Sequence, residues 1–334
     1  MEKLLTIAIP AYNMEKYLER CLNSLLIKDE QTQYLEVIII NDGSMDRTIQ
    51  IAQKFSSRFP NLFKVINKQN GNWGSCINLA AKEATGKYFL ILDADDWLET
   101  KELESFIEML KETQDVDLLI YNCTQIRGNE RTKIFHTKLT EDRVYKLAEI
   151  EKNWDCSFFV HCIALNTPII KKIHLTEGIS YCDVEVVIYM FEYIKNLKIY
   201  NKSLYNYIID RPGQTIEAAS YSKNSNAIIK IYRRYNKEHS SNEKILYWQR
   251  NSIIPLLNMY YQVNLLYKTS TESFTIFKEI DKEIHKDPIL YKSLYAQTFI
   301  KVKYIKLWSY LQYRPILRSL VLIQKITNKI KSLF

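Results

Sequence analysis

At 334 residues the chain can hold one large domain or two ordinary ones, each with its own hydrophobic core. Hydrophobic residues make up 47% and charged residues 25% of the sequence, which is typical of a globular protein. The longest apolar runs are shorter than the roughly 18 residues that a membrane span needs, so we expect no transmembrane helix.

The N-terminus, MEKLLTIAIPAYN, predicts a first strand and not a signal peptide, because no small-residue cleavage site follows its apolar run. Six cysteines are scattered without a CxxC pair, at Cys21, Cys76, Cys123, Cys156, Cys162 and Cys182. In a chain of this size they indicate reduced thiols in a cytoplasmic protein, and neither a disulfide framework nor a zinc site.

The formal net charge of +8 is unevenly divided along the chain. Residues 1–220 carry 26 basic and 31 acidic side chains, whereas residues 221–334 carry 20 basic and 7 acidic ones. No acidic residue follows Asp287. The asymmetry predicts two functional halves.

The first half alternates apolar runs with helical patterns. The apolar runs predict strands at 4–9, 35–40, 63–66, 88–92 and 117–121. Helical patterns occupy the intervals at 14–27, 46–59, 75–84 and 100–111, and Gly86 is expected at the C′ position of the third. Strands without period-2 alternation, separated by helices, predict an α/β fold with a mostly parallel sheet covered on both faces.

Polar clusters follow four of these strands, at 11–13, 41–44, 70–72 and 93–96. In open α/β sheets, ligands bind at the carboxyl ends of the strands. We therefore expect the four clusters to converge on one site.

The last cluster, in YFLILDADDW, places Asp93, Asp95 and Asp96 directly after a buried strand. Asp93 and Asp95 are hard oxygen donors two positions apart, which suits Mg²⁺ or Mn²⁺. The alternative is that these acids cap the next helix, and Asp96 is the candidate for that role. The crowding of negative charge favours the metal.

The earlier clusters are ambiguous when taken singly. Tyr12 could stack on a base or pack in the core. Asp42, in NDGS, could hold a turn or accept a hydrogen bond from a base N–H.

Five motifs occur in order: IPAYN (9–13), NDGSMDRT (41–48), NGNWGSCIN (70–78), ATGKYFLILDADD (84–96) and YCDVE (181–185). Together they resemble a family 2 glycosyltransferase of the bacterial surface-glycan type, over about residues 1–215. The resemblance implies a Rossmann-like GT-A fold. It also implies an inverting transfer of a hexose or N-acetylhexosamine from a UDP-sugar to a hydroxyl of a glycan, glycoprotein or lipid-linked acceptor.

The resemblance also assigns the donor residues. Pro10 and Tyr12 would hold the uridine, and Asp42 would contact the uracil. Asp93 and Asp95 would form the DxD motif that holds the ribose and the Mn²⁺ or Mg²⁺ on the diphosphate.

In the third motif, Asn70, Ser75 and Asn78 are the candidate donor contacts. Many relatives carry Arg immediately before the Asn, where this chain has Ile77. We expect Ser75, Asn78 and backbone N–H groups to contact the diphosphate in its place.

In the fifth motif, Asp183 matches the family's general base. Cys182 replaces the usual Glu before it, and Glu185 is the competing carboxylate two residues on. His161 is either a satisfied core residue or part of an acceptor pocket.

RPGQT (211–215) resembles the family's mobile loop, in which Arg211, Gln214 and Thr215 would contact the diphosphate. The alternative is a Pro-Gly turn with a solvated arginine. Trp73 and Trp97 could line a sugar-binding face or belong to the core.

Two other functions fit parts of the same sequence. A nucleotidyltransferase could use a related fold and acidic metal site, but it would release pyrophosphate and need no base at Asp183. A decayed transferase could serve as an assembly partner, which the Ile77 and Cys182 departures favour and the intact DADD opposes.

Helical periodicity dominates residues 221–334, predicted as a basic, aromatic-rich second domain after a catalytic domain at 1–215. Residues 315–334 form a basic amphipathic pattern that could lie peripherally on the inner face of an anionic membrane. Alternatively it could be an ordinary surface helix packed on this domain or on a second subunit. We favour packing in a homo-oligomer because Trp308, Tyr310, Tyr313 and the many tyrosines of 221–313 suit a buried interface. No nucleic-acid recognition motif is present, so no nucleic acid is expected as a partner.

Overall fold

A computed structural model describes residues 2–134, 143–150, 158–209, 224–267 and 271–296. The chain divides into two compact units, Met1–Gln214 and Thr215–Phe334. Their predicted roles as a catalytic and an association domain remain predictions.

One ten-stranded sheet runs through the described part of the first unit. In chain order its strands are β1 Leu5–Ala11, β2 Leu35–Asn41, β3 Phe63–Asn67, β4 Tyr88–Ile91, β5 Trp97–Leu98, β6 Leu118–Arg127, β7 Glu130–Ile134, β8 Val144–Lys146, β9 Ile163–Asn166 and β10 Asn196–Ile208. The order across the sheet is β3-β2-β1-β4-β9-β6-β10-β5, with β7 beside β6 and β8 beside β10.

Parallel pairing joins β3, β2, β1 and β4, and it also joins β6 to β10. Strand β9 lies between β4 and β6 and is antiparallel to both. The prediction of a mostly parallel sheet is therefore confirmed. The antiparallel insertion was not predicted, because a four-residue strand carries too little pattern to reveal its direction.

Helices lie between the first strands of this sheet, as the helical patterns predicted. Those described in the first unit are α1 Leu18–Asn23, α2 Asp29–Thr32, α3 Thr48–Arg58, α4 Asn72–Glu83, α5 Thr100–Glu112, α6 Thr167–Ile170 and α7 Asp183–Met190. Consecutive residues Ile38, Ile39 and Ile40 of β2 are all fully buried, which is the burial expected of a strand covered on both faces.

The expectation for Gly86 is wrong. Helix α4 ends at Glu83, and its C-cap Ala84 already has extended backbone, so Gly86 lies beyond the C′ position. A Cβ atom on Gly86 would lie 2.6 Å from the Thr6 backbone nitrogen. Glycine is therefore required there by the close approach of β1, not by a left-handed helix end.

The second unit is helical throughout its described part, as predicted. Its helices are α8 Ser225–Glu238, α9 Glu243–Gln262, α10 Thr271–Ile284 and α11 Pro288–Ala296, with a π-helical turn at Val263–Tyr267 after α9. Its core is rich in tyrosine, and the Tyr261 hydroxyl donates a hydrogen bond to buried Asp281. The amphipathic pattern at 315–334 lies outside the described residues.

Within the described ranges, every helix is too short or too polar to cross a lipid bilayer.

Candidate active site

The residues after β4 are held in place by β10. Buried Asp96 accepts hydrogen bonds from the Tyr205 hydroxyl (2.9 Å) and the Ile208 backbone N–H (2.8 Å). Asp96 therefore does not cap the next helix, which begins four residues later at Thr100. Tyr205 also accepts a hydrogen bond from the backbone N–H of Asp93 (3.1 Å), so one hydroxyl fixes both ends of the DADD segment.

Asp93 lies in an environment of uncompensated negative charge. Burial and then the neighbouring Asp95 raise the pKa of Asp93 to about 6. A hydrogen bond from Trp73 Nε1 to Asp93 Oδ1 (2.9 Å) and the charge of His161 oppose that rise. In the part of the chain that the structure describes, neither lysine nor arginine forms an ion pair with Asp93.

These residues fit a divalent cation. Asp93 and Asp95 offer hard carboxylate oxygens, which are the donors that Mg²⁺ and Mn²⁺ prefer. A raised carboxylate pKa indicates that a positive charge would be stabilised there. Asp93 and Asp95 would hold the ion.

The two candidate bases differ sharply in their surroundings. Glu185 is 0% exposed, and its carboxylate accepts hydrogen bonds from both the backbone N–H and the hydroxyl of Thr176, each at 2.7 Å. Asp183 begins α7 with its surface open to solvent. Of the two carboxylates, Asp183 alone is open to an incoming substrate.

Protein atoms still crowd the Asp183 carboxylate, and this partial burial raises its pKa despite the open surface. Its own backbone N–H and the charge of His161 act in the opposite direction. Just before it, Tyr181 has a φ of +66°, a left-handed conformation that is strained for a bulky residue. The chain thus turns sharply as it enters α7.

His161 is not an isolated core histidine. Its ring stacks on Tyr207 (centroids 4.6 Å apart, 15° between planes) and on Phe159 (5.4 Å, 15°). Its charge acts on both Asp93 and Asp183. His161 therefore belongs to the same cluster as Asp93, Asp95 and Asp183, which we call the carboxylate cluster.

The third motif and the fifth motif are packed together at Gly74. A Cβ atom there would lie 2.7 Å from the Thr176 carbonyl oxygen and 2.9 Å from Cys182 Sγ. Cys182 is buried, and burial raises the pKa of its thiol. Cys182 therefore packs directly against α4 at Gly74.

Asp42 is buried in a hydrogen-bond network at the end of β2. Its Oδ1 accepts hydrogen bonds from Lys68 Nζ (2.7 Å) and the Gly71 backbone N–H (2.9 Å), and Asn70 donates to its backbone carbonyl (3.0 Å). Lys68 Nζ also donates to Ser75 Oγ (2.8 Å). Asp42 therefore holds the turn through these hydrogen bonds, and Asn70 and Ser75 belong to the same network.

Asn78 has a structural role that the sequence did not suggest. Its amide nitrogen donates to the Leu175 carbonyl (3.0 Å) and to Glu177 (2.9 Å), and its amide oxygen accepts from the Leu175 N–H (2.9 Å). With both ends of the amide engaged, Asn78 ties α4 to the segment before α7, and a contact to diphosphate is not favoured.

The remaining predicted donor residues lie at the end of β1. Pro10 is half-buried in the strand. Tyr12 is 43% exposed, which argues against a core role and leaves its ring accessible. Arg211, Gln214 and Thr215 lie outside the described residues.

Comparison with known proteins identifies the family. The family described as Glycosyl transferase family 2 matches residues 6–173, which is half of the chain. This chain belongs to glycosyl transferase family 2. The match contains the first four motifs and His161, and it stops ten residues before Asp183.

Relatives of this family 2 chain match it only over part of their length. An uncharacterized glycosyltransferase of Mycoplasma pneumoniae, the MG025 homolog, is 40% identical over 96 residues. That stretch covers 28% of this chain and 32% of the relative, so the chain matches about a third of the relative's length.

Solved structures share the fold. Staphylococcus aureus TarS (residues 1–349) in complex with UDP has a TM-score of 0.62 at 18% identity, covering 95% of this chain and 90% of that one. The same protein has been solved with UDP-GlcNAc. The mannosyltransferase PcManGT of Pyrobaculum calidifontis, in complex with GDP-Man and Mn²⁺, has a TM-score of 0.53 at 12% identity over 93% and 88% of the two chains. The predicted GT-A fold is confirmed.

Several residues of this family 2 site were missed by sequence reasoning. Lys68 directly follows β3, so the rule of carboxyl strand ends could have found it. Trp73 was considered for a sugar face, yet it bonds Asp93. The guanidinium of Arg20 lies 4.0 Å above the Trp97 ring and donates to the Asp95 carbonyl (2.7 Å), and no sequence signal pointed to it.

Proposed function

We propose that this chain is an inverting glycosyltransferase that uses a UDP-sugar and a divalent cation. The observation that carries the proposal is the contrast between the two late carboxylates. Asp183 is open and electrostatically coupled to His161, whereas Glu185 is sealed by Thr176. A site with an open base and a separate pair of metal-type carboxylates suits group transfer to a hydroxyl.

A UDP-sugar donor is supported by family membership and by the TarS complexes with UDP and UDP-GlcNAc. Pro10 and exposed Tyr12 would hold the uridine. Lys68 and the Gly71 N–H fix the Asp42 carboxylate, which would present it to the uracil in one orientation. The transferred sugar is proposed to be a hexose or an N-acetylhexosamine.

The metal role of Asp93 and Asp95 is supported by the raised pKa of Asp93. A bound Mn²⁺ or Mg²⁺ would supply positive charge that stabilises the departing diphosphate. Trp73 and Tyr205 orient Asp93 through its carboxylate and its backbone, respectively. Orientation of this kind is the usual role of groups that bond to metal ligands.

The proposed base is Asp183. Its carboxylate would accept the proton of the acceptor hydroxyl, and that oxygen would then attack the anomeric carbon from the face opposite the UDP. A raised pKa brings a carboxylate closer to the operating pH, which makes it a more effective base. The acceptor would be a hydroxyl of a glycan, glycoprotein or lipid-linked sugar.

The test is a product analysis with a panel of UDP-sugars, acceptor glycans and Mn²⁺. We expect one UDP-sugar to yield free UDP and a glycoside whose anomeric configuration, read by NMR, is inverted. Retention of configuration would contradict the role of Asp183. Release of pyrophosphate in place of UDP would instead identify a nucleotidyltransferase.

A further inference from the structure

A cavity of about 430 Å³ opens beside β6, β7 and β10 in the first unit. Every residue that lines it is polar or charged. Ligand cavities of this size are usually lined mainly by apolar side chains, which would bind apolar ligand surface. A lining made up of polar and charged residues offers many hydrogen-bonding groups to a ligand that is rich in hydroxyl groups.

The cavity is separate from the carboxylate cluster. Asn206 lines it, and in β10 this residue stands between Tyr205 and Tyr207. Tyr205 bonds Asp96 and Tyr207 stacks on His161, so both rings point toward the carboxylates. Because successive side chains of a strand point to opposite faces, Asn206 points away from that cluster.

Asn206 presents its side-chain amide to the cavity. The residue is 4% exposed, and within the described ranges its side chain makes no hydrogen bond to the protein. The adjacent hydroxyls differ, because Thr124 and Ser203 bond each other at 2.6 Å. Because the Asn206 amide faces the cavity, it can exchange a hydrogen bond with water for a hydrogen bond with a ligand.

One wall of the cavity carries positive charge. Arg131 and Lys133 are alternate residues of β7, so they project to the same face, and both are exposed. Over the described segments neither forms an ion pair, whereas Lys202 on the neighbouring strand faces Glu102 at 3.7 Å. The lining also holds Glu99 and Glu102, so three cations face two carboxylates, and Arg131 and Lys133 are the cations available to an anion.

We propose that this cavity binds an acidic saccharide unit, one that carries a carboxylate or a phosphate. Asn206 can both donate to and accept from sugar hydroxyls, because an amide offers both functions. Arg131 and Lys133 hold the anionic group through charge-assisted hydrogen bonds. The proposal concerns binding alone and does not depend on the proposed transfer reaction.

The test is calorimetric titration of the full-length chain with four probes: glucuronic acid, glucose 6-phosphate, glucose and inorganic phosphate. We expect at least one acidic sugar to bind about tenfold more tightly than both glucose and inorganic phosphate. The carboxylate and phosphate probes show which acidic group is held. The double variant Arg131→Gln/Lys133→Gln should lose about tenfold in affinity for that sugar.

The matched control is Lys82→Gln/Lys195→Gln, which removes the same charge at exposed positions outside the cavity and should leave binding unchanged. Asn206→Asp keeps the size of the buried side chain but places a negative charge beside the ligand, so it should weaken binding without unfolding the protein. Asn206→Ala should weaken binding of all sugar probes.

Three results would overturn the proposal. Equal affinity for inorganic phosphate and the acidic sugars would reduce the site to a simple anion contact. Unchanged binding in the Arg131/Lys133 double variant would place the sugar elsewhere. Absence of binding at concentrations of about 10 mM would exclude the site.

Discussion

The carboxylates of this protein differ in whether neighbouring groups already occupy their oxygens with hydrogen bonds. Asp93, Asp95 and Asp96 are nearly adjacent in sequence, yet Asp96 is fully used by Tyr205 and Ile208. Likewise, Thr176 occupies both oxygens of the Glu185 carboxylate, whereas Asp183 is exposed. Side-chain chemistry predicted which residues could act, and local hydrogen bonding decides which of them can.

The hydrogen bond from Trp73 should tune the metal site. Trp73→Phe removes a bond that lowers the pKa of Asp93, so that pKa should rise and Mn²⁺ should bind more weakly. Hydrogen bonds to charged groups contribute about 1.5–3 kcal/mol, which predicts a loss of roughly tenfold or more in Mn²⁺ affinity. Electron paramagnetic resonance titration of free Mn²⁺ measures it.

Trp97→Phe is the control, since Trp97 stacks under Arg20 and does not bond Asp93. Equal Mn²⁺ affinity in Trp73→Phe and the wild type would contradict the tuning role.

The raised pKa of Asp93 makes stability depend on pH when chelator removes divalent cations. The folded-state pKa is about 6 against an ordinary value of 3.8, so the folded state binds more protons than the unfolded state between these values. Stability should therefore fall as the pH rises through that window. Asp93→Asn removes the effect and should gain stability relative to the wild type above pH of about 6.

Urea denaturation in EDTA at a series of pH values provides the measurement. Asp183 also has a raised pKa, but it is present in both proteins and largely cancels in the difference. The charge of Asp93 helps to raise the pKa of Asp96, so Asp93→Asn should also lower the Asp96 pKa and add to the difference in the same direction. A stability difference that is the same at pH 4 and pH 7 would show that Asp93 ionises normally.

Asp183 and Glu185 should fail differently when neutralised. Asp183→Asn should cut turnover by about 10² or more, the usual contribution of a positioned base, while UDP binding and thermal stability stay near the wild type. Glu185→Gln should instead destabilise the fold by about 1–3 kcal/mol, because the buried hydrogen bonds to Thr176 weaken.

Parallel measurement of turnover, UDP affinity and melting temperature separates the two effects. An inactive but fully stable Glu185→Gln, beside an active Asp183→Asn, would reverse the assignment.

At the scale of elements, the sequence predicted what hydrophobic runs can reveal. Strands β1, β2 and β4 were found because each buries a continuous apolar stretch, and β3 was found from its shorter apolar run. The helices between them were found from their helical periodicity. The short strands β5, β8 and β9 were missed, since two to four residues carry no usable period. His161 was also ambiguous, because its role depends on β10 bringing Tyr207 against it from 46 positions away.

Gly74 provides a test of element packing. Glycine to alanine in an exposed helix stabilises by up to about 1 kcal/mol. Gly74→Ala should do the opposite, because the added methyl meets the Thr176 carbonyl and Cys182 Sγ at less than 3 Å. We expect a lower melting temperature by differential scanning calorimetry, together with weaker activity from displacement of the Asp183 segment.

Lys82→Ala, an exposed change in the same helix, is the control and should be nearly neutral. A Gly74→Ala protein that is more stable than the wild type would show that α4 and the Thr176 segment are loosely packed.

At the scale of the molecule, charge separates the halves of the sequence. Residues 221–334 have 20 basic and 7 acidic residues, and the positive excess after Asp287 is unopposed. We expect residues 315–334 to pack between subunits, so deleting them should lower the mass of the particle in solution, measured by light scattering. Liposome binding should depend little on lipid charge.

Binding of the full-length protein to membranes would contradict this prediction. A full-length protein that is monomeric at micromolar concentration and sediments with anionic liposomes in a salt-sensitive manner would assign the segment to the membrane surface.

The contact at Gly74 also limits which substitutions this protein can accept over evolutionary time. Helix α4 and the segment that leads into α7 are in contact at this glycine, and no space for a methyl group remains between them. A substitution that reshapes one side must be matched on the other. A chimera that joins the first three motifs of one relative to the fifth motif of another is therefore expected to fold poorly unless Gly74 and the two residues that face it, Thr176 and Cys182, come from the same parent.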